Sequence, residues 1–194
     1  LDNRSISEVI LEKLMNAIVD TTSDAVVFSD FRHGIFNQWT VPKLTAAISD
    51  DVFCVADSQV ASRWGNITEF KNFDLITPNE REARFALADQ DSTVGALASA
   101  LVDATGCRLL ILKLGDRGAF ISRPDTLGGQ EDNYFSVDSF ARNVADAVGA
   151  GDALMSYATL AMLATNNEVI ASIVGSIAAA CECEIDGNVP IKPT

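Results

Sequence analysis

The chain has 194 residues and carries 27 acidic against 14 basic side chains, a net charge of −13. With 48% hydrophobic residues and a mean hydropathy of +0.17, it has material for one packed core over residues 1–194, and two domains would be crowded. So acidic a surface repels nucleic acid and anionic membranes and excludes both as natural partners, while a local cradle of amides, lysine or Mg²⁺ still admits small phosphorylated ligands.

In chain order, Ser5-Ile-Ser-Glu8 has the form of a capping box, and Ile6, Val9, Ile10, Leu14, Ala17 and Ile18 follow at helical spacing. Ala25–Phe28 predicts a short buried strand ending in Ser29-Asp30. A helix is predicted near Val41–Ile48, with Pro42 in its first turn. Next come strands at Val52–Ala56, ending in Asp57, and at Phe73–Thr77, ending in Pro78-Asn79. Helices are predicted over Glu80–Leu87 and Thr93–Ala104, then a central strand over Arg108–Leu114. Gly115–Gly118 reads as a turn into a strand at Ala119–Ser122, residues 123–132 as a polar loop, and Tyr134–Val137 as another strand. The last helices are predicted at Asp152–Ala164 and Glu168–Cys183, ahead of Asp186–Pro190. No repeats or low-complexity linkers interrupt the pattern.

Alternating strands and helices predict an α/β fold with a mainly parallel sheet flanked by helices on both faces. Asp30, Asp57, Asn79 and Gly115 each lie just beyond a predicted strand's C-terminal end, the edge along which open α/β sheets gather ligands. The four cysteines are Cys54, Cys107, Cys181 and Cys183. Cys181-Glu-Cys183 lacks a second cysteine or histidine pair, and His33 is the only histidine, so reduced thiols are expected rather than a metal–thiolate site. Residues 1–10 carry acid and lack an apolar core, and no run reaches the roughly 18 apolar residues of a membrane span, so a cytoplasmic location is expected.

Three segments can carry chemistry. In Asp146-Ala-Val-Gly-Ala-Gly-Asp152, a glycine turn runs into an apolar helix. Gly149 and Gly151 have no Cβ to block an anion, and the helix adds its positive end. A carboxylate at Asp152 beside such a cradle suits phosphoryl transfer to a hydroxyl, although a helix cap is the plain alternative. In Thr77-Pro-Asn-Glu-Arg-Glu82, Asn79 and Glu82 share a helical face and could hold a hydrated Mg²⁺; the alternative is a capping box. In Lys113-Leu-Gly-Asp-Arg-Gly118, Gly115 would let a nucleotide lie against the backbone; the alternative is an ordinary hairpin turn.

In this order the three segments resemble the ribokinase-like (phosphofructokinase-B family) sugar kinases, from about residue 20 to 190. The resemblance implies a three-layer ribokinase-like fold and an ATP-dependent carbohydrate kinase acting on a sugar or sugar phosphate. It implies that Asp152 is the base for the acceptor hydroxyl and that the backbone of Gly149, Ala150 and Gly151 is the anion hole. It places Asn79 and Glu82 at the Mg²⁺–phosphate end, and Lys113, Leu114, Gly115, Asp116, Arg117 and Gly118 against the nucleotide. Asp146 and the loop around Gly187 fall where some members hold a monovalent cation, and lids in this family often build dimers.

Ser29-Asp-Phe-Arg-His-Gly34 looks most like the heptose-phosphate kinase branch, which tends to have Ser-Asp-Tyr-x-Lys-Gly. Phe31 and His33 depart from that pattern, and Asp30 is the substrate-side candidate. Val148 stands in place of the family's usual Thr, and Tyr157 is expected to crowd its helix's packing face. The family's N-terminal strands, its glycine-rich sugar-binding segment and its small β-lid have no counterpart here, and Leu1 in place of Met favours a fragment. The rival expectation is a non-catalytic nucleotide-binding or regulatory module. A flavodoxin-like domain with a fortuitous Gly-Ala-Gly-Asp would bind no nucleotide.

Overall fold

The computed structural model describes residues 4–59, 67–123 and 133–187. In chain order the elements are α1 (Glu8–Asp20), β1 (Ala25–Asp30), α2 (Thr40–Thr45), β2 (Phe53–Ser58), β3 (Leu75–Ile76), α3 (Glu80–Leu87), α4 (Val94–Thr105), β4 (Leu109–Lys113), β5 (Ala119–Ser122), β6 (Tyr134–Val137), α5 (Ala150–Thr165) and α6 (Glu168–Cys183). The six strands form one sheet in the order β1-β2-β3-β4-β5-β6. β1 to β4 are parallel, and β5 and β6 are antiparallel additions joined to β4 through a tight turn.

The alternation of side chains along each strand separates two cores. Phe28, Ala56, Ile76, Leu110 and Leu112 face one way, into a cluster with Leu11 of α1, Leu44 of α2, Ala83 of α3 and Leu97 and Leu101 of α4. Val55, Leu75, Leu109, Ile111, Ala119 and Ile121 face the other way, against Leu154, Met155 and Ala158 of α5 and Ala171 of α6. The expected three-layer arrangement follows directly, since a strand buried on both faces must carry a continuous apolar run such as Leu109–Leu112. In the first core, Phe28, Phe70 and Phe73 meet edge to face, with centroids 5.1 Å (Phe28–Phe73) and 5.5 Å (Phe70–Phe73) apart. Each such pair adds about 0.5–1.5 kcal/mol beyond its burial. α5 and α6 pack through a glycine notch: a Cβ on Gly175 would lie 2.8 Å from the Leu154 carbonyl oxygen and 3.0 Å from Ala158 Cβ.

β1 ends the sheet, bonded to β2 alone among the described residues, and Val27 is left 43% exposed on the α5–α6 side. Among the described residues, no helix is long and apolar enough to cross a membrane.

Several boundaries differ from expectation. The first helix is capped by Ser7, whose Oγ accepts from the Ile10 N–H at 3.4 Å, so the box does not start at Ser5. Ser5 Oγ instead accepts from Asn37 Nδ2. β1 and β2 run on to Asp30 and Ser58, because Ser29 pairs with Asp57 and Asp30 with Ser58. Asp30 and Asp57 are therefore strand residues, not residues beyond a strand. β3 is shorter than Phe73–Thr77, although the Asp74 and Thr77 N–H groups still donate to the Cys54 and Ala56 carbonyls of β2, and α2 stops at Thr45. Tyr157 is only partly buried. The polar loop at 123–132 lies, beyond Arg123, outside the described residues, as does 188–190.

Candidate active site

The glycine turn forms because its residues are tied from two directions. Asp146 Oδ1 accepts from the Val148 N–H at 3.0 Å, and the N–H groups of Ala145 and Asp146 donate to the Cys183 carbonyl at the end of α6. Gly149 then takes φ 89°, a left-handed conformation that favours glycine, and α5 begins at Ala150. That is two residues earlier than expected, so Gly151 and Asp152 both lie inside the first turn. The first helix N–H to find its helical acceptor is that of Ala153, which donates to the Gly149 carbonyl. No side chain caps this helix, so the amides of Gly151 and Asp152 remain at its positive end as donors for an anion.

Asp152 sits in this turn with its carboxyl raised above the ordinary aspartate range. Burial is the main cause and the Asp57 carboxylate the second, and the Lys113 ammonium opposes both. Lys113 ends β4, and its Nζ lies 2.9 Å from Asp57 Oδ2. A Cβ on Gly151 would stand 3.0 Å from Nζ and 3.9 Å from Asp57 Oδ2. The space left by the missing side chain is thus bordered by this ion pair. Asp57 is 6% exposed, and among the described residues neither its Oδ1 nor Oγ1 of fully buried Thr77 has a hydrogen-bond partner.

Asn79 and Glu82 adopt the capping box. Asn79 Oδ1 accepts from the Glu82 N–H at 2.8 Å, and Glu82 Oε2 accepts from the Asn79 N–H at 2.7 Å. With Asn79 Oδ1 and Glu82 Oε2 each accepting from the backbone, these residues fit a Mg²⁺ ion held through its water shell. Among the described residues, no group of three or more His, Cys, Asp or Glu is arranged to hold a metal directly.

Gly115–Arg117 makes one 3₁₀ turn between β4 and β5, so the hairpin alternative describes its backbone. Two hollows flank it. A cavity of ≈ 310 Å³ is lined by Lys113, Gly115, Asp116, Gly118, Ala150 and Gly151 on one side and by Ser176, Ala179, Ala180 and Cys183 of α6 on the other. A larger open groove of ≈ 790 Å³ runs past Asn79, Arg81, Lys113, Leu114 and Gly115. Arg117 borders neither and pairs with Glu80. Ser176, Ala179, Ala180 and Cys183 were not anticipated, because small residues on a helix carry no local sign that they wall a cavity. Ser176 Oγ is buried, with no hydrogen-bond partner among the described residues.

Asp30 is held by structure. It accepts from the Arg32 N–H at 2.8 Å, Arg32 Nη1 at 2.6 Å and Ser58 Oγ at 2.9 Å. His33 is exposed. All four cysteines are free thiols.

Residues 44–189 match the pfkB family of carbohydrate kinases. The chain belongs to that family. Bifunctional protein HldE from Desulfatibacillum aliphaticivorans is 27% identical over 192 residues, covering 91% of this chain but 36% of that protein. Escherichia coli phosphofructokinase-2 in complex with potassium superposes with a TM-score of 0.78 at 18% identity, over 95% of this chain and 59% of that one. Ribokinase from Thermotoga maritima does so at 0.71 and 21%, over 96% and 57%. Arabidopsis thaliana ribokinase complexed with ribose and ATP gives 0.68 and 19%, over 95% and 55%. This pfkB-family chain thus spans about a third of the curated relative and less than three fifths of these solved structures. The matched span holds Asn79, Glu82, Lys113 and the turn at 149–152, whereas Asp30 precedes it.

Proposed function

We propose that this chain is the nucleotide-binding portion, one domain over residues 1–194, of an ATP-dependent kinase that phosphorylates a hydroxyl of a sugar or sugar phosphate. The observation that carries the proposal is Asp152, a partly buried carboxylate beside two helix N–H groups without a partner among the described residues, next to a cavity of ≈ 310 Å³. In this reading the base of ATP lies toward Ala179 and Cys183, and its phosphates run past Gly115 and Gly118 to the amides of Gly151 and Asp152. The acceptor oxygen attacks the γ-phosphorus, the bond from that phosphorus to the bridging oxygen of ADP breaks, and the hydroxyl proton passes to Asp152. The amides and the helix end stabilise charge on the transferring oxygens, the kind of positioning and electrostatics that dominates phosphoryl transfer. Mg²⁺, when bound with the nucleotide, neutralises phosphate charge, and Asn79 and Glu82 would orient it through water. Asp146 and the Gly187 loop would hold any monovalent cation.

The rival reading is a non-catalytic nucleotide-binding or regulatory module. Calorimetry with Mg·ATP on this chain, and a phosphorylation screen across sugars with the complete gene product, separate the two. Asp152→Asn should leave ATP affinity nearly intact and lower turnover by about 10²–10⁴-fold. Near-normal turnover in that variant defeats the assignment of the base. Binding without transfer to any acceptor supports the module.

A further inference from the structure

Lys113 belongs to the segment that family resemblance assigns to the nucleotide, yet its side chain leaves that loop. It lines both hollows. From the end of β4 it reaches past β3 to a carboxylate on β2. Strand alternation places Asp57, Thr77 and Lys113 on the face beneath α5, in line with Val55, Leu75 and Ile111. Its Nζ stands 3.0 Å from where a Cβ on residue 151 would lie.

We infer that the Lys113 ammonium is a further member of the anion hole, a cation facing the transferring phosphate, and that Asp57 is the positioning residue that holds it there. The inference rests on the kinase reading above. An ammonium has three donors, and Asp57 Oδ2 takes one, leaving donors for a phosphate oxygen at the Gly151 amide without loss of the ion pair. The charge is needed at this spot. The Asp57 carboxylate lies close enough to disfavour ionisation of Asp152, and a phosphate brought beside these two acids would meet only repulsion. Lys113 opposes that repulsion from below, while the α5 amides act from above. Asp57 makes no nucleotide contact in this arrangement. It keeps a four-carbon side chain, otherwise mobile, under Gly151 before any ligand arrives.

Lys113 should therefore sense the γ-phosphate and not the rest of the nucleotide. The test is titration of ATP and of ADP, each with Mg²⁺, against the wild-type chain and three variants. Lys113→Met should weaken ATP by about 10- to 100-fold, the worth of one charged hydrogen bond, and change ADP by less than about 3-fold. Asp57→Asn should lose part of the ATP-over-ADP preference, which a merely structural role would not move. The double variant Lys113→Met with Asp57→Asn leaves no lone buried charge to prevent folding, and it should lose the preference as fully as Lys113→Met. A folded double variant that keeps the preference overturns the inference. Wild-type protein that binds ATP no better than ADP overturns it too, with the kinase reading intact. Wild-type protein that binds neither nucleotide defeats the kinase reading itself.

Discussion

Gly175 sets two opposing effects against each other within one substitution. It lies in the interior of α6, where replacing Gly by Ala ordinarily stabilises a helix by about 1 kcal/mol. Here the new Cβ would stand 2.8 Å from the Leu154 carbonyl oxygen and 3.0 Å from Ala158 Cβ, and both belong to the helix α5 opposite. A carbonyl oxygen in mid-helix cannot swing aside, so α5 and α6 must separate by several tenths of an ångström. Overpacking of this kind costs about 1–3 kcal/mol, enough to cancel or exceed the propensity gain. Gly175→Ala should therefore destabilise by up to about 2 kcal/mol, lowering Tm by as much as about 4–8 °C for a chain of this size. Leu154 is two residues from Asp152, so on the kinase reading proposed above ATP affinity should fall as well. Gly95 in α4 is the control: its Cβ would meet only Phe120 Cζ at 3.9 Å, ordinary contact. Gly95→Ala should be neutral or stabilising by a few tenths of a kcal/mol, since it sits in the first turn. Thermal melts of both variants decide the matter. A Gly175→Ala protein that melts no lower than wild type refutes the tight notch.

Burial and Asp57 raise the Asp152 carboxyl, so its contribution to stability is present below the ordinary carboxylate range and is lost as pH rises through the raised value. Asp152→Asn should thus melt higher than wild type at pH 7 and no higher near pH 3; equal melting points at pH 7 contradict the burial of that charge. Gly118 has φ 81°, and a Cβ there would lie 2.7 Å from backbone atoms of Asp138 and Ser139. Gly118→Ala should cost about 3 kcal/mol or more in strain and overlap, whereas Gly115→Ala, with nothing within 4 Å, should cost about 1–2 kcal/mol, as denaturant titration will show. The Cys54 thiol is pushed up to about 11 by burial and then by Asp74. A thiol reagent at pH 8 should label exposed Cys181 first, with Cys54 and Cys107 protected until unfolding; early labelling of Cys54 contradicts its environment.

Local chemistry decided how much of this could be read from residues alone. α3 and α6 begin and end where expected because Asn79, Glu82 and Asn167 announce their caps within three residues of the helix start. The turn from Gly115 to Gly118 was equally plain, since each glycine lies at positive φ. Ser5 and Ser7 could each have capped α1, and only the fold, which gives Ser5 to Asn37, separates them. The Lys113–Asp57 pair joins residues 56 apart, and no local pattern points from one to the other. It needs the strand order and register. The cavity wall at Ser176, Ala179, Ala180 and Cys183 was hidden for a similar reason, as these side chains gain meaning only when α6 lies beside the glycine turn.

The bare side of β1 bears on how this chain behaves as a colloid. A strand edge that has no partner among the described residues, next to an apolar side chain as exposed as Val27, is a template on which another strand can add. What opposes such growth is mutual repulsion between molecules of charge −13. That repulsion shortens with the screening length, about 30 Å at 0.01 M salt but 8 Å at physiological strength. Ionic strength thus sets how strongly that edge is shielded from a second molecule.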